Sequence, residues 1–246
     1  MAAKREIFLN RNQPYHILNR AVERREIFAK EGDCLRFIFQ MYAANVGKPA
    51  SNLHRKDVIK AAYSLLAGEE ISSKFIIKEH PPLVNFLSFV LVINHYHFNL
   101  FPNIENGIPI YMQRLNIGFA KYFNLKHNRK GTLFESRYKI VPIQTNFQLD
   151  AVLRYINIIN PLDVYQPGWR KEGLKNGKEA LKFLNEYQYS SFPDLFGKRK
   201  SKILTSRELI VKFFGKEAII NQEEYLKFAK DFLEQRIVFP HPLYLE

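Results

Sequence analysis

Of the seven histidines in this 246-residue chain, only His95-Tyr96-His97 has the spacing of a ligand pair. On a strand, residues i and i+2 point to the same face, so both imidazoles could reach one metal ion. The same spacing equally describes two strand histidines that face solvent or each other. Two protein nitrogens hold a metal poorly, so a metal site here needs a third ligand from elsewhere. The chain has one cysteine, Cys34, which excludes an intramolecular disulfide and a cysteine-based zinc cluster.

Two other stretches carry reactive or charged groups. Arg137-Tyr138-Lys139 combines cations with an aromatic ring, which suits phosphate contact and base stacking, and also suits a solvated sheet edge. Tyr155 lies in Leu153-Arg154-Tyr155-Ile156-Asn157-Ile158-Ile159-Asn160-Pro161, beside a helical apolar stripe rather than at its centre. A tyrosine there is usually a core-edge residue with its hydroxyl in water.

Composition narrows the partner. Lys and Arg number 37 against 24 Asp and Glu, a net charge of +13. The isoelectric point is near 9.7. Such an excess of positive charge points to a polyanion, most often nucleic acid. Hydrophobic residues at 46% and charged residues at 25% indicate a folded protein with a sizeable core. No apolar run reaches the roughly 18 residues of a membrane span. The charged start, Met1 to Asn12, lacks a signal-peptide core, so a cytoplasmic location is expected.

These groups must be positioned by a small set of elements. Tyr15–Arg20 reads as a strand with Tyr15, Ile17 and Asn19 on one face and His16 and Leu18 on the other. Residues 33–44 read as a helix with the stripe Cys34, Phe37, Ile38, Met41 and Tyr42. The polar stretch 45–82 surrounds a second possible helix at 55–66. Residues 83–101 are too long for one strand and read as a hairpin broken near Ile93-Asn94, its first strand central and covered on both faces. A helix is expected over 111–125, closed by the basic turn 127–131, and then a strand over 132–143. Thr145-x-x-Gln148 opens a helix with the stripe Leu149, Val152, Leu153 and Ile156, which Pro161 should end.

Beyond Trp169 the composition turns polar and Lys-rich. Residues 170–202 read as a linker around a short helix, and 203–246 as a small helical appendage. Its helices open at Thr205-x-x-Glu208 and Asn221-x-x-Glu224, the second with the stripe Tyr225, Phe228, Ala229 and Phe232. The order strand, helix, hairpin, helix, strand, helix predicts an α+β protein: a ferredoxin-like antiparallel sheet with helices packed on it.

Five segments, taken in order, resemble the HUH-type single-tyrosine transposases, most closely the REP-associated tyrosine transposase group. They are Tyr15-His16-Ile17-Leu18-Asn19-Arg20, Val90 through Phe98, Tyr122-Phe123-Asn124 with His127, Gly131-x-Leu133-Phe134-x-x-Arg137-Tyr138-Lys139, and Leu153-Arg154-Tyr155-Ile156 leading to Asn160-Pro161. Tyr189-Ser190-Ser191-Phe192 is similar to the segment that follows the catalytic helix in that family. The resemblance spans roughly residues 13–195. It implies a catalytic domain over 1–169 with an insertion at 45–82.

The resemblance also implies a chemistry. His95 and His97 would hold one divalent ion, Mg²⁺ or Mn²⁺, that polarises the scissile phosphate of single-stranded or hairpin DNA. Tyr155 would attack phosphorus and form a 5′-phosphotyrosyl enzyme with a free 3′-hydroxyl. Arg20, Arg129, Lys130, Arg137 and Lys139 would contact DNA. A homodimer is allowed, because some members of the wider superfamily supply the tyrosine helix in trans. The family often carries Asn, Gln or His four residues after the tyrosine as a third ligand, whereas this chain has Ile159 there. Asn160 stands at i+5, about 140° around a regular helix from Tyr155. A one-residue π-bulge would bring it back beside Tyr155; without one the third ligand is lost. The competing expectation is a ferredoxin-like nucleic-acid-binding protein, derived from a transposase and without catalysis.

Overall fold

Three apolar strands buried on both faces set the architecture. The structure, a computed structural model, describes residues 9–51 and 53–203, together with Glu223, Glu224, Lys227 and Asp231. The helix expected from Thr205 and the stripe Tyr225, Phe228, Ala229 and Phe232 lie outside the described residues. The chain runs β1 (Tyr15–Arg20), α1 (Glu31–Val46), β2 (Gly47–Pro49), α2 (Arg55–Ala67), β3 (Ile76–Lys78), β4 (Val84–Val92) and β5 (His95–Pro102). It continues with α3 (Gly107–Lys126), β6 (Lys139–Pro142), α4 (Asn146–Arg154), a π turn (Tyr155–Ile159), α5 (Asn160–Tyr165), α6 (Trp169–Glu172), α7 (Gly177–Glu186) and α8 (Phe192–Leu195).

The main sheet is antiparallel with strand order β4-β5-β1-β6. With α1 between β1 and β4 and α3 between β5 and β6, this is the expected ferredoxin-like α+β arrangement. Tyr15, Ile17, Tyr96, Phe98 and Leu100 turn to one face and join Phe37, Ile38, Met41, Leu115 and Phe119 of α1 and α3 in the large core. The opposite face presents Val90 and Val92 to Leu149, Val152, Leu153 and Ile156 of α4 and the π turn. The sheet therefore has a helix layer on each side, and the histidines belong to the α4 side.

Several sequence expectations are corrected. The polar stretch 45–82 holds α2 as expected, and also a two-stranded sheet of β2 and β3. Val58, Ala61, Ala62 and Leu65 of α2 enter the large core, which is why a polar-looking segment is ordered. The strand β4 is covered on both faces but lies at the sheet edge, not in its centre. Its outer backbone is satisfied by the 189–191 segment: Leu91 N–H donates to the Tyr189 carbonyl at 2.9 Å and Ser191 N–H to Phe89 at 2.9 Å. The exposed-edge problem is thus met by a pairing segment that lies about 100 residues on in sequence.

The strand expected over 132–143 is confined to Lys139–Pro142. At Arg137 side chains replace the ladder, Asn19 Nδ2 and Asn116 Nδ2 both donating to its carbonyl at 2.8 and 3.2 Å, and farther upstream backbone pairing returns as an isolated bridge of Ala21 with Phe134. Pro161 does not end the helix. It sits in the first turn of α5, just past the π turn, where its missing N–H and ring are tolerated because the helix has already widened. Residues 170–202 contain three helical segments rather than one. Trp169, Ala180, Leu184 and Phe192 form a cluster there with Tyr155, Ile158, Ile159 and Leu162. Among the described residues, no helix is long and apolar enough to cross a membrane.

Candidate active site

The β1/β5 register builds the site. Arg20 lies opposite His95, Leu18 opposite His97, and His16 opposite Asn99. His16, Leu18 and Arg20 therefore share the face that carries His95 and His97, with His16 diagonal to His97. The His95 and His97 ring centroids are 4.9 Å apart. His16 stacks on His97 at 5.2 Å, and its Nε2 lies 3.0 Å from His97 Nδ1.

The ring nitrogens can be sorted. Asn94 Oδ1 lies 2.6 Å from His95 Nδ1, a contact to which an Nδ1–H would donate. His97 Nδ1 is engaged by His16, and its Nε2 is buried with no hydrogen-bond partner among the described residues. His95 is half-buried and His97 fully buried. The pair thus runs from the surface inward.

The helix over this face is opened by Thr145, whose Oγ1 accepts from Gln148 N–H at 3.1 Å. The Gln148 side chain caps Gln144 N–H at 2.7 Å, one residue earlier than a strict capping box. At Tyr155 the helix widens. Asn160 N–H donates to the Tyr155 carbonyl, an i to i−5 bond, while the dihedrals at Tyr155 and Asn160 stay helical. Of the two expectations, a wide turn or a lost third ligand, the helix carries the wide turn, which by its geometry brings Asn160 round toward the side of Tyr155. Asn160 is buried, and neither atom of its amide has a hydrogen-bond partner among the described residues. Asn157 has a different job: its Nδ2 donates to the Leu153 carbonyl at 2.8 Å and its Oδ1 accepts from Ser191 Oγ at 2.6 Å. It ties the widened helix to the segment on the β4 edge.

Tyr155 is not a core-edge residue with a wet hydroxyl. It is 2% exposed. Its ring stands edge-on to His97 at 5.3 Å and to His16 at 6.1 Å, within its own chain. The Arg170 guanidinium lies 5.7 Å from the ring centroid, within cation–π range. Tyrosine and histidines therefore meet on one side of the sheet.

The electrostatics are those of an anion site. Burial, then His95, His16, Arg20 and Arg170, hold the pKa of His97 well below the ordinary histidine value. His97 is therefore neutral, as a ligand imidazole must be. A depressed folded-state pKa also has a stability consequence. The unfolded chain takes up a proton near pH 6.5 and the folded chain does not, so stability is whole above that pH and falls by up to about 1.4 kcal/mol per pH unit below it. Thermal melts from pH 7.5 to 5 should show this fall, with a shallower slope in His97→Gln.

The other expected contacts are dispersed. Lys139 is exposed, begins β6 and pairs with Leu18, so it borders the histidine face. Arg137 is exposed at the same rim. Arg20 is half-buried opposite His95. Arg129 and Lys130 belong to the turn that closes α3, in the helix layer of the other face. Arg129 braces that turn through Asn124 Oδ1 at 2.9 Å, and Lys130 is exposed. The structure thus gathers His95, His97, Tyr155 and Arg20, adds Asn160 on the tyrosine helix, and leaves Arg129 and Lys130 apart.

A divalent ion would find a plausible set of donors. His97 Nε2 and both Asn160 amide atoms are buried and unsatisfied, a costly state that an ion or ordered water would relieve. Among the described residues no three His, Cys, Asp or Glu side chains form a metal-holding group, so the set is two imidazoles and one amide. Such a set leaves coordination positions for phosphate oxygens and water.

Sequence reasoning missed His16 and Arg170. His16 was visible as a histidine on the right face of the first strand, but its partner lies 81 residues away and only the register unites them. Arg170 was hidden in a polar, Lys-rich composition.

No family model matches the chain. No curated protein matches it. One solved structure, described as a REP-associated tyrosine transposase bound to a REP hairpin, aligns with it at 13% sequence identity and a TM-score of 0.44, covering 79% of this chain and 84% of the other.

Proposed function

We propose that this protein is a metal-dependent transesterase that cleaves single-stranded or hairpin DNA and transfers the strand through a 5′-phosphotyrosine on Tyr155. The observation that carries the reading is the 5.3 Å contact of the Tyr155 ring with His97, inside a buried cationic cluster that retains unsatisfied ligand atoms. An active-site tyrosine needs neighbouring cations to favour its phenolate, and a phosphodiester needs cations to approach at all.

The chemistry balances as follows in this site. Tyr155 Oη attacks the scissile phosphorus, and its proton passes to solvent. The Oη–P bond forms as the P–O3′ bond breaks, and the departing 3′-oxygen takes a proton from water. Attack on the phosphotyrosine by another 3′-hydroxyl reverses the step and completes strand transfer. A divalent cation, Mg²⁺ or Mn²⁺, held by His95, His97 and Asn160 would supply Lewis-acid polarisation of the phosphate. His16 and Asn94 orient the imidazoles by engaging their Nδ1 atoms. Arg20 faces the same cluster, and Arg137 and Lys139 at the rim, with Arg129 and Lys130 farther out, contact the DNA backbone.

The test is to incubate the full chain with Mn²⁺ and end-labelled hairpin DNA from the flanks of its own gene. An SDS-resistant protein–DNA adduct is the expected result, and its absence across metals and hairpins overturns the reading. The rim makes a second prediction. Each phosphate contact on a single strand contributes about 0.7 to the slope of log affinity against log salt. The double change Arg137→Ala with Lys139→Ala should flatten that slope by about 1.4 in titrations between about 50 and about 300 mM salt. An unchanged slope would remove both residues from the interface.

A further inference from the structure

Arg170 opens α6 just past Trp169, outside every motif that marks the site. Its position is nonetheless tightly specified. Nε and Nη2 grip the Asp163 carboxylate at 3.0 and 2.5 Å. Trp169, wholly buried, donates its indole N–H to Asp163 Oδ1 at 2.7 Å. One carboxylate on α5 therefore fixes both residues, and the buried indole anchors α6 against the tyrosine helix. Arg170 is held at that anchor with its guanidinium over the Tyr155 ring.

The guanidinium beside the ring also reaches solvent: the Arg170 side chain is 32% exposed, whereas Tyr155 is 2% exposed. Attack by Tyr155 on a phosphodiester adds negative charge to the non-bridging oxygens beside this ring. A guanidinium already oriented there stabilises that charge without reorganising, which a flexible surface lysine does less well.

Resting on the reading of Tyr155 as nucleophile, we propose that Arg170 is a catalytic residue that binds the non-bridging oxygens of the phosphate Tyr155 attacks, with Asp163 and Trp169 as its positioning residues. Trp169 is the only tryptophan in the chain and so reports on this contact directly.

The test uses the full chain and two readouts. In the first, adduct formation is followed at saturating hairpin DNA. Arg170→Ala should slow it by about 100-fold or more, the size of losing one oriented donor. Its DNA affinity should change by less than about threefold, because the bulk of binding comes from other phosphate contacts. Arg170→Lys, which keeps the charge without the fork, should recover part of the loss. In the second readout, hairpin DNA is titrated into Tyr155→Phe, which cannot react, and Trp169 emission is recorded. A shift is expected in Tyr155→Phe and should be absent in Tyr155→Phe with Arg170→Ala.

Adduct formation by Arg170→Ala within about threefold of the parent, where oriented donors normally count for far more, overturns the proposal while leaving the Tyr155 reading intact. A Trp169 response that does not depend on Arg170 overturns it too, even if no adduct forms in any protein. An adduct in Tyr155→Phe instead overturns the nucleophile assignment on which the proposal rests. Melting curves of the four variants guard against misfolding, and Arg170→Lys preserves the Asp163 ion pair if Arg170→Ala does not fold.

Discussion

Tyr155→Phe is expected to remove the covalent protein–DNA adduct entirely, a loss of at least about 10⁴-fold, as when a nucleophile is deleted elsewhere. The change deletes one oxygen and keeps the ring. Packing against His97, His16 and Arg170 is retained, so the cost to stability should stay below about 1.5 kcal/mol. DNA binding rests on the basic rim and should stay within about threefold. Tyr122 and Tyr138 are the controls. Tyr122 donates its hydroxyl to Asp33 at 2.8 Å in the α1–α3 layer, on the other face from the histidines. Tyr138 packs against the large core on that same side. Their phenylalanine variants should form adduct at the parent rate. Adduct formation by Tyr155→Phe would leave a DNA-binding protein without catalysis as the better reading.

Local periodicity made much of this site legible. The i, i+2 rule placed His95 and His97 on one face, and the break at Ile93-Asn94 set the hairpin that carries them. The most informative feature was an irregularity: an asparagine at i+5 rather than i+4 from Tyr155 left either one wide turn or a lost ligand, and a π turn runs over Tyr155–Ile159. What stayed hidden depends on pairing between distant segments. His16 gains its meaning only when β1 and β5 fix their register. The edge position of β4 was masked because Tyr189-Ser190-Ser191 covers it, giving an edge strand the composition of a central one. Arg170 was obscured for a related reason. Its neighbours in sequence are polar and charged, and the single buried anchor, Trp169, is too sparse a signal for periodicity to detect. The length of β6 was overestimated because the asparagine side chains that replace its ladder at Arg137 come from β1 and α3.

The largest contrast between stability and function is expected at Asn160. Its amide is buried and neither polar atom has a hydrogen-bond partner among the described residues, a state that costs up to about 1–3 kcal/mol in the metal-free protein. Leucine has nearly the same shape and no polar atoms. Asn160→Leu should therefore raise the melting temperature of the metal-free protein, by several degrees at roughly 2–4 °C per kcal/mol for a chain of this size. The same variant should lose Mn²⁺ affinity by about tenfold or more, because an oxygen ligand is gone, and adduct formation should fall at least as far. His95→Ala is the companion. His95 is half-buried at the end of the hairpin, so its removal should leave folding intact while Mn²⁺ binding and cleavage disappear. His97→Ala tests the same ligand set less cleanly, since it opens a fully buried position and strands His16 Nε2. Calorimetric Mn²⁺ titration read beside thermal melts separates the possibilities. If Asn160→Leu destabilises the metal-free fold and leaves Mn²⁺ affinity unchanged, the amide is a structural group, the π turn serves packing alone, and the ligand set must be sought elsewhere.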